Sequence, residues 1–249
     1  MPHANNNGVR IYYKVEGDGP PLVLLHPVLS SHKVWYANGY VDALKSSHKI
    51  ILPDIRGHGD SDKPHEPQAY TQQIRAMDIV AVLDNMGIDK AHFLGYSTGG
   101  FIGFAVAKYA QDRLKSLMIG AAHPYTLTSK SFAHLNPADT EAFFVAFEGL
   151  IGQAVSPQMK ATLLQNDLRA IAASLKQGFA STEDGLAAIN VPSLIFVGDK
   201  DMMYADVAKC AGSIASATFM PMQGLGHYDT LKRSDLMLPH IKAFLKGVK

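Results

Sequence analysis

The sequence predicts an α/β protein with a doubly wound, mostly parallel sheet. Short continuous apolar runs recur along the chain, and stretches with helical spacing of apolar residues separate them. Strands that are buried on both faces of a parallel sheet have such runs, and helices that connect parallel strands account for the alternation. Between residues 121 and 193, however, the chain keeps helical spacing with no clear strand. This long stretch predicts a helical insertion into the sheet domain.

Local patterns predict the elements of the first half. Residues 9–15 are rich in aromatic and β-branched residues and end at a turn of glycine and proline, which is typical of a strand. Residues 22–25 and 49–52 are short apolar runs of the kind found in buried strands. Residues 73–86 have apolar side chains at helical spacing, and a glycine follows them as a stop signal. We expect the three asparagines at 5–7 to form a frayed terminus.

The same alternation continues toward the C-terminus. By the same criteria, the remaining strands are predicted at residues 92–94, 114–119, 194–197 and 218–220, and the remaining helices at 101–110, 138–152, 157–179, 204–214 and 236–245. The helices at 138–152 and 157–179 form the predicted insertion.

Composition limits the classes of partner. With 249 residues, of which 47% are hydrophobic, the chain can bury the core of one domain plus an insertion. The formal net charge is +1 and the basic residues are scattered, so we expect no nucleic-acid or membrane partner. The single cysteine, Cys210, excludes an internal disulfide framework, and the sequence has neither an apolar signal segment nor a run that could span a membrane. We expect a cytoplasmic monomer or homodimer that acts on a small molecule.

A candidate nucleophile follows the predicted strand at 92–94. Ser97 is the centre of a Gly-x-Ser-x-Gly motif with Gly95 and Gly99, placed between that strand and a predicted helix. A strained turn from strand to helix projects the serine hydroxyl out of the sheet, and the glycines let strand and helix pass close together. This context predicts a nucleophile elbow at Ser97.

A serine hydroxyl needs a base to take its proton, and the base needs a group that orients it. His227 is the best candidate base, because it alone of the eleven histidines follows a glycine turn after the last predicted strand. Asp199 and Asp201 both follow the strand at 194–197, and either could orient a histidine. The order serine, acid, histidine along the chain is that of one known class of serine triad.

These segments together resemble the α/β-hydrolase superfamily, in its serine-nucleophile esterase and lipase branch. The resemblance covers nearly the whole chain and rests on the elbow at Ser97, Asp201 three residues after Gly198, His227 after Gly226, the segment Leu24-Leu25-His26-Pro27 and the loop at 54–61. It implies a sheet of about eight strands formed by residues 1–122 and 190–249, with a small helical cap at 123–189. It also implies a catalytic triad of Ser97, Asp201 and His227, and a structural role for the loop at 54–61.

The resemblance further implies an oxyanion hole, in which two backbone N–H groups face the oxygen that becomes negative during acyl transfer. One donor is Thr98, the residue after the nucleophile. The other donor comes from the loop after the strand at 22–25. Because Pro27 has no N–H, the candidate there is Val28, with His26 as a hydrogen-bonding group that fixes the loop.

Candidate substrate-binding residues are apolar or aromatic and lie near the predicted cap. They are Phe143, Phe144 and Phe147 within the cap helices, and Leu29, His123 and Tyr125 outside those helices. An apolar pocket for an acyl or alcohol group would account for the phenylalanines, although apolar residues at helical spacing usually pack in a core.

The sequence contains no metal or cofactor motif, so we expect no cofactor. A serine nucleophile argues against the dehalogenase and epoxide-hydrolase branches of the superfamily. We therefore hypothesise a serine hydrolase that cleaves a carboxylic ester or lactone of a small, fairly apolar molecule through an acyl-enzyme on Ser97. The same triad also serves carbon–carbon bond, amide and thioester hydrolysis and cofactor-free perhydrolysis. A small-molecule receptor that retains the triad is an alternative from another class.

Overall fold

The computed structural model describes residues 2–128, 139–151 and 154–248. Eight strands in these residues form one sheet in the order β1-β2-β4-β3-β5-β6-β7-β8. The strands are β1 (His3–Asn6), β2 (Val9–Glu16), β3 (Pro21–Leu25), β4 (Lys49–Pro53), β5 (Ala91–Tyr96), β6 (Leu114–Gly120), β7 (Ser193–Gly198) and β8 (Ala217–Met222). The pairs β1-β2 and β2-β4 are antiparallel, and all other neighbours are parallel. The predicted fold class is therefore confirmed.

Helices flank the sheet and follow most of the predicted positions. They are α1 (Lys33–Ala37), α2 (Tyr40–Leu44), α3 (Gln72–Asn85), α4 (Thr98–Tyr109), α5 (Thr140–Ile151), α6 (Pro157–Leu163), α7 (Leu168–Gln177), α8 (Tyr204–Gly212), α9 (His227–Lys232) and α10 (Ser234–Gly247). Short 3-10 turns lie at Pro67–Tyr70, Gln111–Arg113 and Glu183–Ala188. Within the described ranges, no helix has the length and apolar character needed to cross a membrane.

The prediction of a frayed N-terminus is wrong. Residues His3–Asn6 form β1, an edge strand that pairs with β2. Asn6 is buried, and its side-chain amide donates to Asp78 Oδ1 at 2.8 Å and to the carbonyl of Ile74 at 3.1 Å, both on α3. A buried amide is tolerated when its donors are satisfied, and here a helix distant in the sequence supplies the acceptors.

The stretch of helical pattern at 157–179 forms two helices rather than one. The chain forms α6 and α7, and Asp167 between them is the N-cap of α7, accepting hydrogen bonds from the backbone N–H groups of Arg169 and Ala170 at 3.1 Å. A capping aspartate satisfies the free N–H groups of a new helix and so favours a break at this position. The predicted helix at 138–152 corresponds to α5, and its two predicted end residues lie outside the described residues.

The loop after β4 is a buried support at the carboxyl edge of the sheet. Asp54 accepts hydrogen bonds from the backbone N–H groups of His32 at 2.7 Å and Asp60 at 2.9 Å. Arg56 forms a buried ion pair with Asp78 of α3. The polar groups of this loop are thus used to hold it against α3 and the segment after β3.

The parallel strands end on the same edge of the sheet. In a parallel sheet, ligands bind beyond the carboxyl ends of the strands. Ser97 follows β5, Asp201 lies three residues after β7, and His227 lies five residues after β8. The fold therefore brings the three segments singled out in the sequence to one edge.

Candidate active site

Ser97 is held in a strained turn between β5 and α4. Its backbone has φ 52° and ψ −116°, which a residue with a side chain rarely adopts. A Cβ at Gly95 would collide with the backbone of Gly99, and a Cβ at Gly99 would collide with the backbone of Leu25. The N–H of Ser97 also donates to the carbonyl of Gly120 at 2.8 Å. Close backbone packing on both sides therefore keeps Ser97 in this conformation.

The structure brings Ser97, His227 and Asp201 together in one hydrogen-bonded chain. His227 Nδ1 lies 2.7 Å from Asp201 Oδ2, and Nε2 lies 3.0 Å from Ser97 Oγ. A carboxylate can only accept a hydrogen bond, so Nδ1 carries a proton, and in the neutral imidazole Nε2 then has a free lone pair. The Ser97 hydroxyl then donates to Nε2. This arrangement is able to move the serine proton to the imidazole.

The structure places Asp201, and not Asp199, beside His227. The side chain of Asp201 is fully buried, and its second oxygen, Oδ1, accepts from the N–H of Met203 at 2.9 Å. Asp199 instead accepts from the N–H of Gly224 at 2.8 Å, at the turn after β8. Both aspartates therefore bond the loop after β8, but at different points.

The segment after β3 carries the second oxyanion candidate, and His26 fixes its path. Burial lowers the pKa of His26, so the ring is neutral. Its Nδ1–H donates to the carbonyl of Pro27 at 2.7 Å, and its Nε2 accepts from the N–H of Ile55 at 3.0 Å. Val28 and Thr98 line the same cavity as Ser97. The predicted oxyanion donors thus lie on the wall that surrounds the serine.

A cavity of about 790 Å³ opens over Ser97 and His227. Most of its wall is apolar, and polar and charged residues contribute the rest. The apolar and aromatic lining includes Phe101, Leu127, Phe147, Leu175, Phe179, Met202, Met203, Tyr228 and Leu231, and the charged lining includes Lys200, Asp206, Asp229 and Lys232. Leu127 and Phe179 face each other through an isolated β-bridge, which joins the segment after β6 to the segment after α7. The site can therefore enclose the apolar part of a small molecule.

The structure separates the predicted substrate-binding residues into two groups. Phe147 and His123 line the cavity, and burial lowers the pKa of His123, which keeps its ring neutral. The other four do not line the cavity: Phe143, Phe144 and Leu29 pack with α7 in a buried cluster that also contains Phe147, and Tyr125 packs against the ring of His123 and under Lys209.

Sequence reasoning missed most of the apolar wall. Phe101 and Phe179 stack with ring centroids 4.5 Å apart, yet they lie in different segments. Phe101 was part of a predicted helix, and the helical spacing of α4 did not distinguish a residue that faces a cavity from one that faces the core. Met202 and Met203 directly follow Asp201, so proximity to the predicted acid is the one signal that could have identified them.

The sequence matches one protein-family model and several curated proteins. Residues 20–177 match the family described as alpha/beta hydrolase fold. The 3-oxoadipate enol-lactonase 1 of Acinetobacter baylyi is 26% identical over 219 residues, which cover 80% of this chain and 78% of that protein. Epoxide hydrolase 3 of Siraitia grosvenorii is 34% identical over 116 residues, which cover 46% of this chain and 36% of that protein. The match thus spans little more than a third of that plant epoxide hydrolase.

Solved structures match nearly the whole chain. The structure of Est816, described as an N-acyl homoserine lactone degrading enzyme, is 28% identical with a TM-score of 0.80, covering 98% of this chain and 100% of its own. An enol-lactonase from Burkholderia xenovorans LB400 has the same TM-score of 0.80 at 22% identity, with 98% of this chain and 100% of that one covered, and shows the fold alone.

Proposed function

This chain belongs to the alpha/beta hydrolase fold family, and we propose that it is a serine hydrolase that cleaves a carboxylic ester or lactone of a small, fairly apolar molecule. One observation carries the proposal: His227 bridges Asp201 and Ser97 with contacts of 2.7 Å and 3.0 Å. A hydroxyl, an imidazole and a buried carboxylate in this order form the machinery of acyl transfer.

In the first half of the reaction, Ser97 Oγ attacks the substrate carbonyl while His227 Nε2 takes the hydroxyl proton. Asp201 stabilises the imidazolium that forms and stays ionised itself. The tetrahedral intermediate then collapses, the carbon–oxygen bond to the leaving alcohol breaks, and His227 gives its proton to that alcohol. An acyl group remains on Ser97. With a lactone, the released alcohol stays attached to the acyl group.

In the second half, His227 takes a proton from a water molecule, which attacks the acyl carbonyl. The bond to Ser97 Oγ breaks, the serine regains its proton from His227, and the carboxylic acid leaves. The backbone N–H groups of Val28 and Thr98 would donate to the oxyanion in both halves. Removing one such donor typically costs about 3 kcal/mol of transition-state stabilisation.

Two features support a substrate with an apolar acyl or alcohol group, and the relatives support the type of bond. The cavity wall is mainly apolar, and Phe147 of α5 contributes to it. We also propose that the inserted segment, residues 123–189, is a cap that roofs Ser97, because Leu127, Leu175 and Phe179 of this segment lie on the cavity wall. Relatives named as an enol-lactonase and as a lactone-degrading enzyme support an ester or lactone bond.

Similarity to epoxide hydrolases favours epoxide hydrolysis as a second candidate reaction, but a serine nucleophile argues against it. An epoxide opened by a carboxylate becomes an ester, which water can hydrolyse at its carbonyl. An epoxide opened by Ser97 would become an ether, which has no carbonyl for water to attack. A covalent cycle on Ser97 therefore requires an acyl substrate.

Replacing the proposed nucleophile tests the function. Ser97→Ala should lower the steady-state release of p-nitrophenol from p-nitrophenyl butyrate on the order of 10⁶-fold, because the attacking hydroxyl is lost. Ser116→Ala is the control, since Ser116 also pairs with a histidine, His92, at 2.8 Å on β5 and β6, and we expect no change in rate. Retention of more than about a tenth of the wild-type rate in Ser97→Ala would refute the role of Ser97. A wild-type protein that binds esters without repeated turnover would support the receptor alternative.

The two aspartates after β7 give a second test. Asp201→Asn should lower the rate about 10⁴-fold, because an amide favours the wrong tautomer of His227. Asp199→Asn retains an oxygen that accepts from Gly224 and should leave the rate unchanged. Steady-state kinetics of both variants test Asp201 as the acid that orients His227. A larger loss of rate in Asp199→Asn than in Asp201→Asn would contradict this assignment.

The two phenylalanines of α5 give a matched test of the pocket. The test uses a series of p-nitrophenyl esters with acyl groups from acetyl to decanoyl. Phe147→Ala should shift the preference toward longer acyl chains, because it enlarges the cavity. Phe143 stacks on Phe147 in the same buried cluster but does not line the cavity, so each alanine variant should cost about 3–5 kcal/mol of stability, whereas Phe143→Ala should leave the substrate ranking unchanged. An identical ranking in both variants and the wild type would exclude Phe147 as a substrate contact.

A further inference from the structure

His227 is the first residue of α9, a helix of only six residues. The preceding residue, Gly226, has no side chain that could cap this helix, although its carbonyl accepts from Thr230 Oγ1 at 3.0 Å. The imidazole is held at both nitrogens, by Asp201 and Ser97, but those bonds constrain the ring and not the backbone. The position of the base therefore depends on what holds the start of α9.

The N–H of Lys200 holds the carbonyl of Leu225 at 3.0 Å, and Tyr96 supplies a contact at His227 itself. Its hydroxyl donates to the backbone carbonyl of His227 at 2.5 Å, across 131 positions of sequence. Tyr96 is 2% exposed, and its ring centroid lies 5.8 Å from that of His227 and 6.2 Å from that of Phe196. Because Tyr96 is the last residue of β5 and directly precedes Ser97, one rigid strand holds both the nucleophile and the backbone of the base.

We propose that Tyr96 is a positioning residue that sets the distance between Ser97 Oγ and His227 Nε2 through its hydrogen bond to the His227 carbonyl. This inference rests on the proposed function, in which His227 is the base. A misplacement of about 1 Å at a reacting group can cost on the order of a hundredfold in rate. Loss of one hydrogen bond to the His227 carbonyl is therefore enough to lower the rate measurably. Burial raises the pKa of the Tyr96 hydroxyl well above its ordinary value, which favours the protonated form that donates this bond.

The other end of the same helix provides a matched control. Tyr40 is also a buried tyrosine, and its hydroxyl donates to the backbone carbonyl of Leu231 at 3.1 Å. The two tyrosines thus make the same type of bond to the same helix, α9. Only Tyr96 bonds the residue that carries the imidazole. Tyrosine-to-phenylalanine substitution removes the hydroxyl at either position and keeps the ring that fills the core.

The experiment compares Tyr96→Phe with Tyr40→Phe in ester hydrolysis and in the rate at which a fluorophosphonate labels Ser97. We expect Tyr96→Phe to lower kcat and the labelling rate about tenfold with KM unchanged, and Tyr40→Phe to change neither. Thermal melting of both variants checks that the two lost hydrogen bonds have similar effects on stability. In a His227→Ala background, Tyr96→Phe should cause no further loss of the residual rate, because the group that it positions is absent.

The proposal is overturned if Tyr96→Phe and Tyr40→Phe have the same kcat, if Tyr96→Phe raises KM with kcat unchanged, or if it lowers the residual rate of His227→Ala. A wild-type protein that neither turns over esters nor reacts with the fluorophosphonate would refute the proposed function instead. These results are distinct, since the comparison between the two tyrosine variants requires an active wild-type enzyme.

Discussion

The hydrogen bond between Asp201 and His227 constrains the rest of the site. The Asp201 side chain is fully buried, so its charge is tolerated only because both oxygens have donors: the N–H of Met203 on Oδ1 and the His227 ring on Oδ2. A buried carboxylate that needs a donor fixes which imidazole nitrogen carries the proton. The other nitrogen is then available to Ser97. The loops after β7 and β8 must therefore hold Asp201 and His227 within hydrogen-bond distance. Because β7 and β8 are parallel neighbours, both loops start at the same edge of the sheet.

The strained turn at Ser97 is the second requirement, and it is stabilised by packing around it. A non-glycine residue in such a conformation costs roughly 1–3 kcal/mol, which the surrounding structure must supply. Here packing offsets this cost: α4 is buried along most of its length, and Gly95 and Gly99 lie close to neighbouring backbone. The same strand ends in Tyr96, whose hydroxyl bonds the carbonyl of His227. Strain at the nucleophile and alignment of the base thus depend on one element, β5.

Local patterns predicted seven of the eight described strands, most of the described helices, and Ser97 and His227 of the hydrogen-bonded chain, because each of these two residues follows an apolar run at a glycine turn. The sequence left Asp199 and Asp201 open until the resemblance favoured Asp201, and the bond that separates them forms only in the folded loop. It could not predict β1, since the acceptors of Asn6 lie on α3, more than sixty residues away. Nor could helical spacing distinguish Phe147 from its neighbours, because a side chain at a cavity and one in a core look alike in sequence.

The central claim is that Ser97 forms an acyl-enzyme, and mass spectrometry of the protein during turnover tests it most directly. Protein mixed with excess p-nitrophenyl ester and quenched in acid within the first turnover should gain the mass of one acyl group. Digestion should locate that group on the peptide that contains Ser97. The added mass should disappear when the substrate is exhausted, as water releases the acid. An adduct on another residue, or full turnover by the wild type with no covalent species in acid-quenched samples, would contradict the account.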